Sequence, residues 1–319
     1  MIEYNNGIRI SGTGLWLDAT KKVPFSFVSH AHSDHVRRHE KIIATPPTIS
    51  LIKLRHRKLN AIPLNYGQEY AINDALIKLY PAGHILGSAQ ILILKDNIRI
   101  LYTSDFKTEK SDTAEPFTTV PADVLIMEST FGAPQYVFPK KWVIIEKMVK
   151  FIEQCFQQGQ VPVVMGYRIG KAQEALKILG DLNYQISLHP LIEPVVKIYE
   201  QYGIAFKNYQ TYRGEDLRNR ILIVPPHLSR GHLVKKIWNA KKLILTGWAV
   251  IPDAKYRFAA HEAIPFSDHA DYQQLIQYVH KVNARKIFIT HGFPSFVQDL
   301  RREGFDADLL PESPQLSLF

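Results

Sequence analysis

Cysteine is almost absent from this sequence, and long apolar stretches are missing. Cys155 is the single cysteine among 319 residues, which excludes a disulfide within the chain and leads us to expect a cytoplasmic protein. No apolar run reaches membrane-spanning length, so we expect no membrane partner. Residues 1–10 lack the charged-then-apolar pattern of a secretory signal. These absences favour a globular protein.

Basic residues outnumber acidic ones. The chain has 39 lysines and arginines against 30 aspartates and glutamates, which gives a formal net charge of +9. Such a balance favours a polyanionic partner but does not determine the fold. With 46% hydrophobic residues the chain can bury a large core, and its length predicts two domains or one elaborated domain.

Four metal-binding side chains lie within six residues, directly after a short apolar run at 23–28. His30 and His32 alternate, so an extended segment would direct both imidazoles to one side. Asp34 and His35 follow where the chain should turn, and they could serve a second ion. Because histidine and carboxylate suit zinc and similar metals, this stretch predicts a metal site, with a polar surface loop as the alternative.

Further histidines and carboxylates stand at the ends of predicted strands. His84 lies in a loop between two glycines, after the apolar run that begins at residue 76. Asp105 and Glu128 end the runs that begin at residues 98 and 124, and His291 ends the run that begins at residue 286. Several predicted strands thus have a histidine or a carboxylate at the carboxyl end. This pattern indicates that these groups form one shared site along a sheet edge. A buried structural histidine is the alternative for His84.

Asp18 ends another predicted strand, at residues 15–18, close in sequence to the histidine cluster. It could hold a ligand imidazole in the correct tautomer, or it could be an ordinary aspartate in a turn. The remaining histidines have no such context and are interpreted as surface residues, among them His39, His56, His232, His261 and His280.

The middle of the chain alternates between helical and strand-like patterns. Helices are predicted at residues 142–156 and 172–179, and strands at residues 161–165, 221–224 and 242–247. This alternation predicts a separate α/β unit with a parallel sheet. Arg168 and Lys171 flank the start of the second helix, where backbone N–H groups could bind phosphate. The glycine pattern there is too incomplete to predict ATP binding.

The motifs together resemble a known family over nearly the whole chain. The string His-Ala-His-Ser-Asp-His at 30–35, with His84, Asp105 and His291, is similar to the metallo-β-lactamase fold. Residues 126–132 and 266–272 resemble the β-CASP nucleases within that fold. Residues 80–90, 128–132 and 170–173 are most similar to the bacterial ligase-associated DNA exonucleases.

The resemblance implies an α/β fold, a four-layer αββα sandwich with an inserted smaller α/β domain of β-CASP type. The sandwich would comprise residues 1–133 and 263–319, and the insert residues 134–262. The segment between Glu128 and His269 is shorter than the insert of the RNA-cleaving members, so their RNA preferences do not transfer directly.

The family pattern also assigns roles to individual residues. One zinc ion would be held by His30, His32 and His84, the other by Asp34, His35 and His291, with Asp105 bridging both. The resemblance implies that His269 is the general acid and that Glu128 is its partner, while Asp105 also serves catalysis. Contacts to nucleic acid are expected from six residues: Arg168, Lys171, Arg230, Lys235, Ser129 and Ser267.

These features predict a nuclease with two zinc ions, or with manganese in their place. A DNA exonuclease in DNA repair is favoured, with DNA preferred to RNA as substrate, and a DNA ligase and a helicase are partners by family analogy. The alternatives are an RNA 3′-end processing endo- or exonuclease of the same family, a small-molecule hydrolase on the same scaffold, and a catalytically silent nucleic-acid-binding subunit.

Overall fold

The computed structural model describes residues 2–4 and 7–310, and the chain divides into two compact units. Unit 1 comprises Met1–Gln135 and His269–Phe319, and unit 2 comprises Tyr136–Asp268. The expected boundaries were 133/134 and 262/263, and residues 311–319 of the expected last segment lie outside the described residues. The second boundary lies later than expected because a strand at Glu262–Ile264 pairs with the sheet of unit 2.

The strands are numbered along the chain. They are β1 (Ile2–Tyr4), β2 (Ile8–Ile10), β3 (Trp16–Leu17), β4 (Phe25–Phe27), β5 (Lys41–Ala44), β6 (Ala61–Pro63), β7 (Glu69–Ile72), β8 (Ala75–Pro81), β9 (Ala89–Lys95), β10 (Ile98–Tyr102), β11 (Val124–Ser129), β12 (Val161–Met165), β13 (Gln185–Leu188), β14 (Tyr209–Thr211), β15 (Arg220–Val224), β16 (Ala240–Leu245), β17 (Glu262–Ile264), β18 (Lys286–Gly292) and β19 (Ala307–Leu309).

The α-helices are α1 (Pro46–Lys53), α2 (Lys141–Gln157), α3 (Lys171–Asp181), α4 (Glu193–Gln201), α5 (His232–Lys235), α6 (Ala254–Arg257), α7 (Tyr272–Val282) and α8 (Ser295–Arg302). Short 3₁₀ helices lie at Pro226–Leu228 and Gly247–Val250. Within the described residues, none of these helices combines the length and the apolar character needed to cross a bilayer.

Unit 1 is built from two sheets that enclose a hydrophobic core. The first sheet has the order β1-β2-β3-β4-β5-β6, and the second has the order β19-β18-β11-β10-β9-β8-β7. Side chains of both sheets pack together between them, for example Phe27 and Ile43 from the first and Ile91 and Ile126 from the second. The opposite face of the second sheet is covered by α7 and α8, and α1 lies beside β6.

Strand direction in the second sheet places four strand ends at one edge. β8 and β10 are each antiparallel to β9, so they are parallel to each other. β10 is parallel to β11, and β11 is parallel to β18. The carboxyl ends of β8, β10, β11 and β18 therefore share an edge, and these are the strands that end near His84, Asp105, Glu128 and His291.

Unit 2 contains a six-stranded sheet whose strands are all parallel, in the order β14-β13-β15-β12-β16-β17. Its central strands are buried on both faces, as parallel sheets require. One face packs against α2, α3 and α4, and the other against α5 and the segment that follows α6. The parallel sheet predicted for the middle of the chain is present.

His39 differs from the expected surface histidine. Its side chain is buried, and its Nδ1 accepts a hydrogen bond from the Val23 N–H at 3.2 Å. Burial lowers the pKa of His39, which favours the neutral ring that can accept this bond. His39 thus fixes the start of the apolar run that leads into the histidine cluster.

Candidate metal centre

The loop after β4 brings the first metal donors to the site. β4 lies between β3 and β5 and is parallel to both, so the chain leaves it at the carboxyl edge of the first sheet. His30 is completely buried, and His32 is partly buried. Asp34 lies at the rim, with about half of its side chain exposed. The loop therefore reaches from the interior of unit 1 to its surface.

Four side chains form a compact cluster: His30, His32, His84 and Asp105. Their ligand atoms all lie within 4.8 Å of one another. His84 Nε2 is 3.1 Å from His32 Nδ1, and Asp105 Oδ2 is 3.5 Å from His30 Nε2 and 3.8 Å from His84 Nε2. Two donors about 2.1 Å from one tetrahedral zinc lie roughly 3.4 Å apart. The observed spacing is therefore suited to donors that share an ion.

A second group of donors meets the same aspartate. Asp105 Oδ2 lies 3.4 Å from His35 Nε2, whereas its Oδ1 lies 3.3 Å from His291 Nε2. Asp34 Oδ2 is 3.7 Å from His35 Nε2. The carboxylate of Asp105 thus contacts histidines from both predicted ligand sets, and the seven predicted metal ligands lie in one region of unit 1.

Two of the donors, His30 and Asp105, have the burial and the protonation state that a metal site needs. His30 Nε2 is buried and has no hydrogen-bond partner among the described residues, an arrangement that is costly unless another group satisfies it. Burial and the neighbouring His35 and His84 hold the pKa of His30 well below its usual value. Burial raises the pKa of Asp105, but nearby histidines outweigh it and lower the pKa well below normal. Deprotonated donors are the form that binds a cation. The cluster is therefore a divalent-metal site.

Two glycines shape the loop that carries His84. Gly83 has φ +73°, and a Cβ there would lie 2.2 Å from the carbonyl oxygen of Lys107. Gly87 has φ +78°, and a Cβ there would lie 2.7 Å from Pro47. The Ser88 hydroxyl accepts hydrogen bonds from His84 N at 3.1 Å and from Ile85 N at 3.2 Å. This tight turn holds the His84 backbone at the carboxyl end of β8.

His269 and Glu128 form a hydrogen-bonded pair beside the metal donors. His269 Nδ1 is 2.8 Å from Glu128 Oε1, which also accepts from Phe106 N at 3.1 Å. Glu128 Oε2 accepts from Thr130 N at 3.1 Å, so both carboxylate oxygens are fixed. Burial raises the pKa of Glu128, but His269 and its hydrogen bond outweigh burial and lower it. The carboxylate is therefore ionised at neutral pH, and the pair lies next to Asp105.

Known proteins are similar to this chain over most of its length. Residues 256–308 match the domain family described as Zn-dependent metallo-hydrolase RNA specificity domain. A probable DNA ligase of Opitutus terrae is 38% identical over 99% of this chain, and a probable RNase, MJ4, of Methanocaldococcus jannaschii is 28% identical over 88% of it. The DNA cross-link repair 1A protein of Mus musculus is 23% identical over 90% of the chain.

The chain belongs to the β-CASP family of metallo-β-lactamase-fold nucleases. The α/β fold class expected from the motifs is thereby confirmed. The matched regions cover 32% of the probable DNA ligase, 85% of the archaeal RNase and 31% of the cross-link repair protein. The chain therefore spans about a third of the length of two of these three relatives.

Within this β-CASP chain, Asp18 is a hydrogen-bonding hub beneath the metal donors. Its Oδ2 lies 3.0 Å from His35 Nδ1 and accepts hydrogen bonds from the hydroxyls of Ser29 at 2.6 Å, Ser104 at 2.7 Å and Tyr102 at 3.0 Å. Its Oδ1 accepts from Ser29 N at 2.8 Å. With Nδ1 held in this way, Nε2 of His35 faces Asp105. Asp18 therefore orients the ring of His35, a predicted metal donor, whereas the sequence alone also allowed an ordinary aspartate in a turn.

Sequence reasoning did not identify the three hydroxyl residues that share this carboxylate. Ser104 has a left-handed backbone with φ +52°, which turns its side chain toward Asp18 immediately before Asp105. Burial and then the adjacent Asp18 raise the pKa of Tyr102 well above its usual value, so Tyr102 remains a hydrogen-bond donor. The sequence did contain one signal for the two serines. Each stands directly before a predicted metal donor, Ser29 before His30 and Ser104 before Asp105.

We expect the Asp18→Asn substitution to weaken metal binding by about 10–100-fold. An amide cannot accept hydrogen bonds from all the groups that now donate to Asp18, so His35 loses its fixed orientation. Competition with a chromophoric chelator measures the apparent Kd for zinc, with circular dichroism as a check of folding. Asp74→Asn, a change of an exposed carboxylate bound to Lys95, is the matched control. Wild-type zinc affinity in a folded Asp18→Asn protein would contradict the orienting role.

Three of the six expected nucleic-acid contacts are buried. Ser129 is fully buried, and its hydroxyl donates to the carbonyl oxygen of His291 at 3.0 Å, which ties β11 to β18. Lys171 is buried and forms an ion pair with Asp268. Both polar groups therefore have partners inside the protein, and their contacts with nucleic acid remain predictions. Ser267 is also buried.

The other expected contacts are more accessible. Arg168 is partly buried, and its Nε donates to the carbonyl oxygen of Leu191 at 2.7 Å. Arg230 and Lys235 are exposed. These three residues belong to unit 2, and their contacts with nucleic acid remain predictions.

Proposed function

We propose that this protein is a metal-dependent nuclease that hydrolyses the phosphodiester bonds of nucleic acids. The observation that carries the proposal is the position of Asp105, which contacts histidines of two donor groups and lies beside the His269–Glu128 pair. A small-molecule hydrolase on this scaffold would not need that pair or the excess of basic residues. The relatives named for DNA repair and for RNA cleavage support the same chemistry.

We assign two zinc ions to the site, with manganese as the alternative. His30, His32 and His84 would hold one ion, Asp34, His35 and His291 the other, and Asp105 would contact both. Such ions lower the pKa of water and neutralise the charge that develops on phosphoryl oxygens. Among these donors, His84 is held in a tight loop, and Asp105 and His291 stand at strand ends on one edge of the sheet.

His269 and Glu128 would supply the proton that the leaving group needs. Glu128 holds Nδ1 of His269, and both of its carboxylate oxygens are fixed by backbone N–H groups. We assign to Nε2 of His269 the transfer of a proton to the leaving sugar oxygen. The carboxylate of Glu128 stabilises the imidazolium form that donates this proton.

DNA is the substrate that we favour, in an exonuclease that acts in DNA repair. The relative named as a probable DNA ligase contains a region equivalent to 99% of this chain, which supports a functional link to DNA ligation. We propose a DNA ligase as a partner on that ground, and a helicase by family analogy. RNA processing is the second candidate, because residues 256–308 match an RNA specificity domain and an archaeal RNase is similar over most of its length.

The test is a panel of end-labelled single- and double-stranded DNA and RNA. The protein is first stripped of metal with a chelator and then assayed with zinc or manganese restored. We expect a stepwise ladder from one end of DNA, present only with added metal. A ladder or internal cuts confined to RNA would favour the second candidate. Turnover of a lactone or thioester, with every nucleic acid intact, would overturn the nuclease proposal.

A further inference from the structure

One stretch of unit 2 contains cations without any acidic residue. Between Leu217 and Pro252 there are seven lysines and arginines and no aspartate or glutamate. The segment runs from just before β15, through α5, to the loop before α6. Since the whole chain has a formal net charge of +9, most of its excess positive charge is concentrated here.

Three of these cations lie close together on one face of the parallel sheet. Ala240 and Ile244 pack into the hydrophobic cluster on the α5 side, and alternation along β16 places Lys242 on the same face. Burial and then the charges of Arg230 and Lys235 lower the pKa of Lys242. Arg230 and Lys235 therefore both repel Lys242, and within the described residues none of these three cations forms an ion pair with a carboxylate.

Exposed aromatic rings accompany this charge. Trp238 follows α5 in the turn before β16, and 91% of its surface is exposed. Tyr256 in α6 is 71% exposed, with Lys255 Nζ 5.3 Å from its ring centroid. Ile237, next to Trp238, and Phe258, close to Tyr256, pack on the same hydrophobic cluster. Both aromatic residues are therefore carried by segments that cover one face of the sheet.

We propose that Arg230, Lys235, Trp238, Lys242 and Tyr256 form a binding surface for a single strand of nucleic acid, here called the basic–aromatic surface. The cations match a phosphate backbone, and the exposed rings match unstacked bases. A duplex keeps its bases stacked inside and offers little to an exposed indole. The inference rests on the proposed function, since it narrows the nucleic acid to one that is single-stranded where unit 2 binds it.

Binding can be tested without hydrolysis, in chelator and with fluorescently labelled oligothymidylate, oligouridylate and a blunt duplex of equal length. We expect Trp238→Ala to weaken single-strand binding by about tenfold and to leave duplex binding nearly unchanged. Lys235→Gln combined with Lys242→Gln should reduce the slope of log affinity against log salt by about 1.4, since each phosphate contact on a single strand contributes about 0.7. Comparing the affinities for oligothymidylate and oligouridylate shows whether binding distinguishes DNA from RNA.

Trp142→Ala is the matched control. Trp142 is 64% exposed at the start of α2, on the other side of the sheet, and the neighbouring Lys141 is paired with Glu174 at 3.2 Å. Binding in this variant should equal that of the wild type. Equal losses in the two tryptophan variants, or no loss in Trp238→Ala, would overturn the inference. The binding assay contains no metal, so its result does not depend on hydrolysis. A wild type that binds single strands in this assay but cuts no nucleic acid when metal is restored would contradict only the proposed function.

Discussion

Replacing His269 with alanine is expected to reduce turnover of a nucleic-acid substrate by about 10²–10⁴-fold, while the metal content stays at the wild-type level. The imidazole is assigned to protonation of the leaving oxygen and not to metal binding. Its Nδ1 is occupied by Glu128 Oε1 at 2.8 Å, and the ring is mostly buried, with 17% of the side chain exposed. Single-turnover kinetics and metal analysis of the same preparation provide the two measurements.

Two substrates with different leaving groups distinguish proton donation by His269 from other roles of this residue. A nucleoside p-nitrophenyl phosphate releases a phenolate that leaves without a proton at neutral pH. Its hydrolysis should therefore be much less sensitive to His269→Ala than cleavage of an oligonucleotide, whose leaving alkoxide requires a proton. Added imidazole should restore part of the oligonucleotide cleavage by entering the space left by the ring.

The competing role for His269 is that of a metal donor. Asp105, Glu128 and His269 lie close enough together to hold an ion, so the geometry permits this role. Loss of one equivalent of metal in His269→Ala, with both substrates slowed equally, would show that His269 is a ligand. His280→Ala is the control, because His280 is exposed and paired with a carboxylate, Glu303, at 3.4 Å. Activity in that variant should stay at the wild-type level.

Three of the predicted metal donors could be assigned to one site from the sequence because each follows an apolar strand. His84, Asp105 and His291 stand at or just beyond the carboxyl ends of β8, β10 and β18, and parallel strands bring such ends to one sheet edge. The His30–His35 stretch was recognisable by local density alone. Short-range pattern and strand direction were therefore sufficient for this part of the site.

The hydrogen-bonded residues around Asp18, beneath the metal donors, could not be found in the same way. Asp18 is 84 and 86 residues from Tyr102 and Ser104, and these residues meet only when the two sheets of unit 1 stack. Serine and tyrosine occur in every context, so neither residue type marks such a contact. Short elements were missed for a related reason. β13 buries three residues and α4 buries four, too few to give a clear period in the sequence.

Lys171 has a long-range partner that its local sequence pattern does not reveal. It begins α3 after a glycine, beside Arg168, and the sequence therefore indicated a phosphate contact. A cation at a helix N-terminus is disfavoured by the helix dipole, so its position there needs another cause. The structure provides that cause in Asp268, a carboxylate 97 residues away and directly before His269. Only the folded sheet of unit 2 brings the two groups together.

We expect Lys171→Met to lower the free energy of unfolding of unit 2 by about 3–5 kcal/mol, because it leaves a buried carboxylate without its cation. The side chains of Lys171 and Asp268 are 7% and 3% exposed. Urea unfolding followed by tryptophan fluorescence is a suitable measurement, since Trp142, Trp238 and Trp248 all lie in unit 2.

Two further variants decide whether the buried charge causes the loss. Lys177→Met, in the same helix, removes a surface pair with Asp181 and should cost no more than about 1 kcal/mol. Combining Lys171→Met with Asp268→Leu should recover much of the stability, because replacing both partners of a buried pair with apolar groups is often neutral or favourable. If Lys171→Met costs no more than Lys177→Met, the buried pair contributes little to stability, and the position of Lys171 at the start of α3 needs a different explanation.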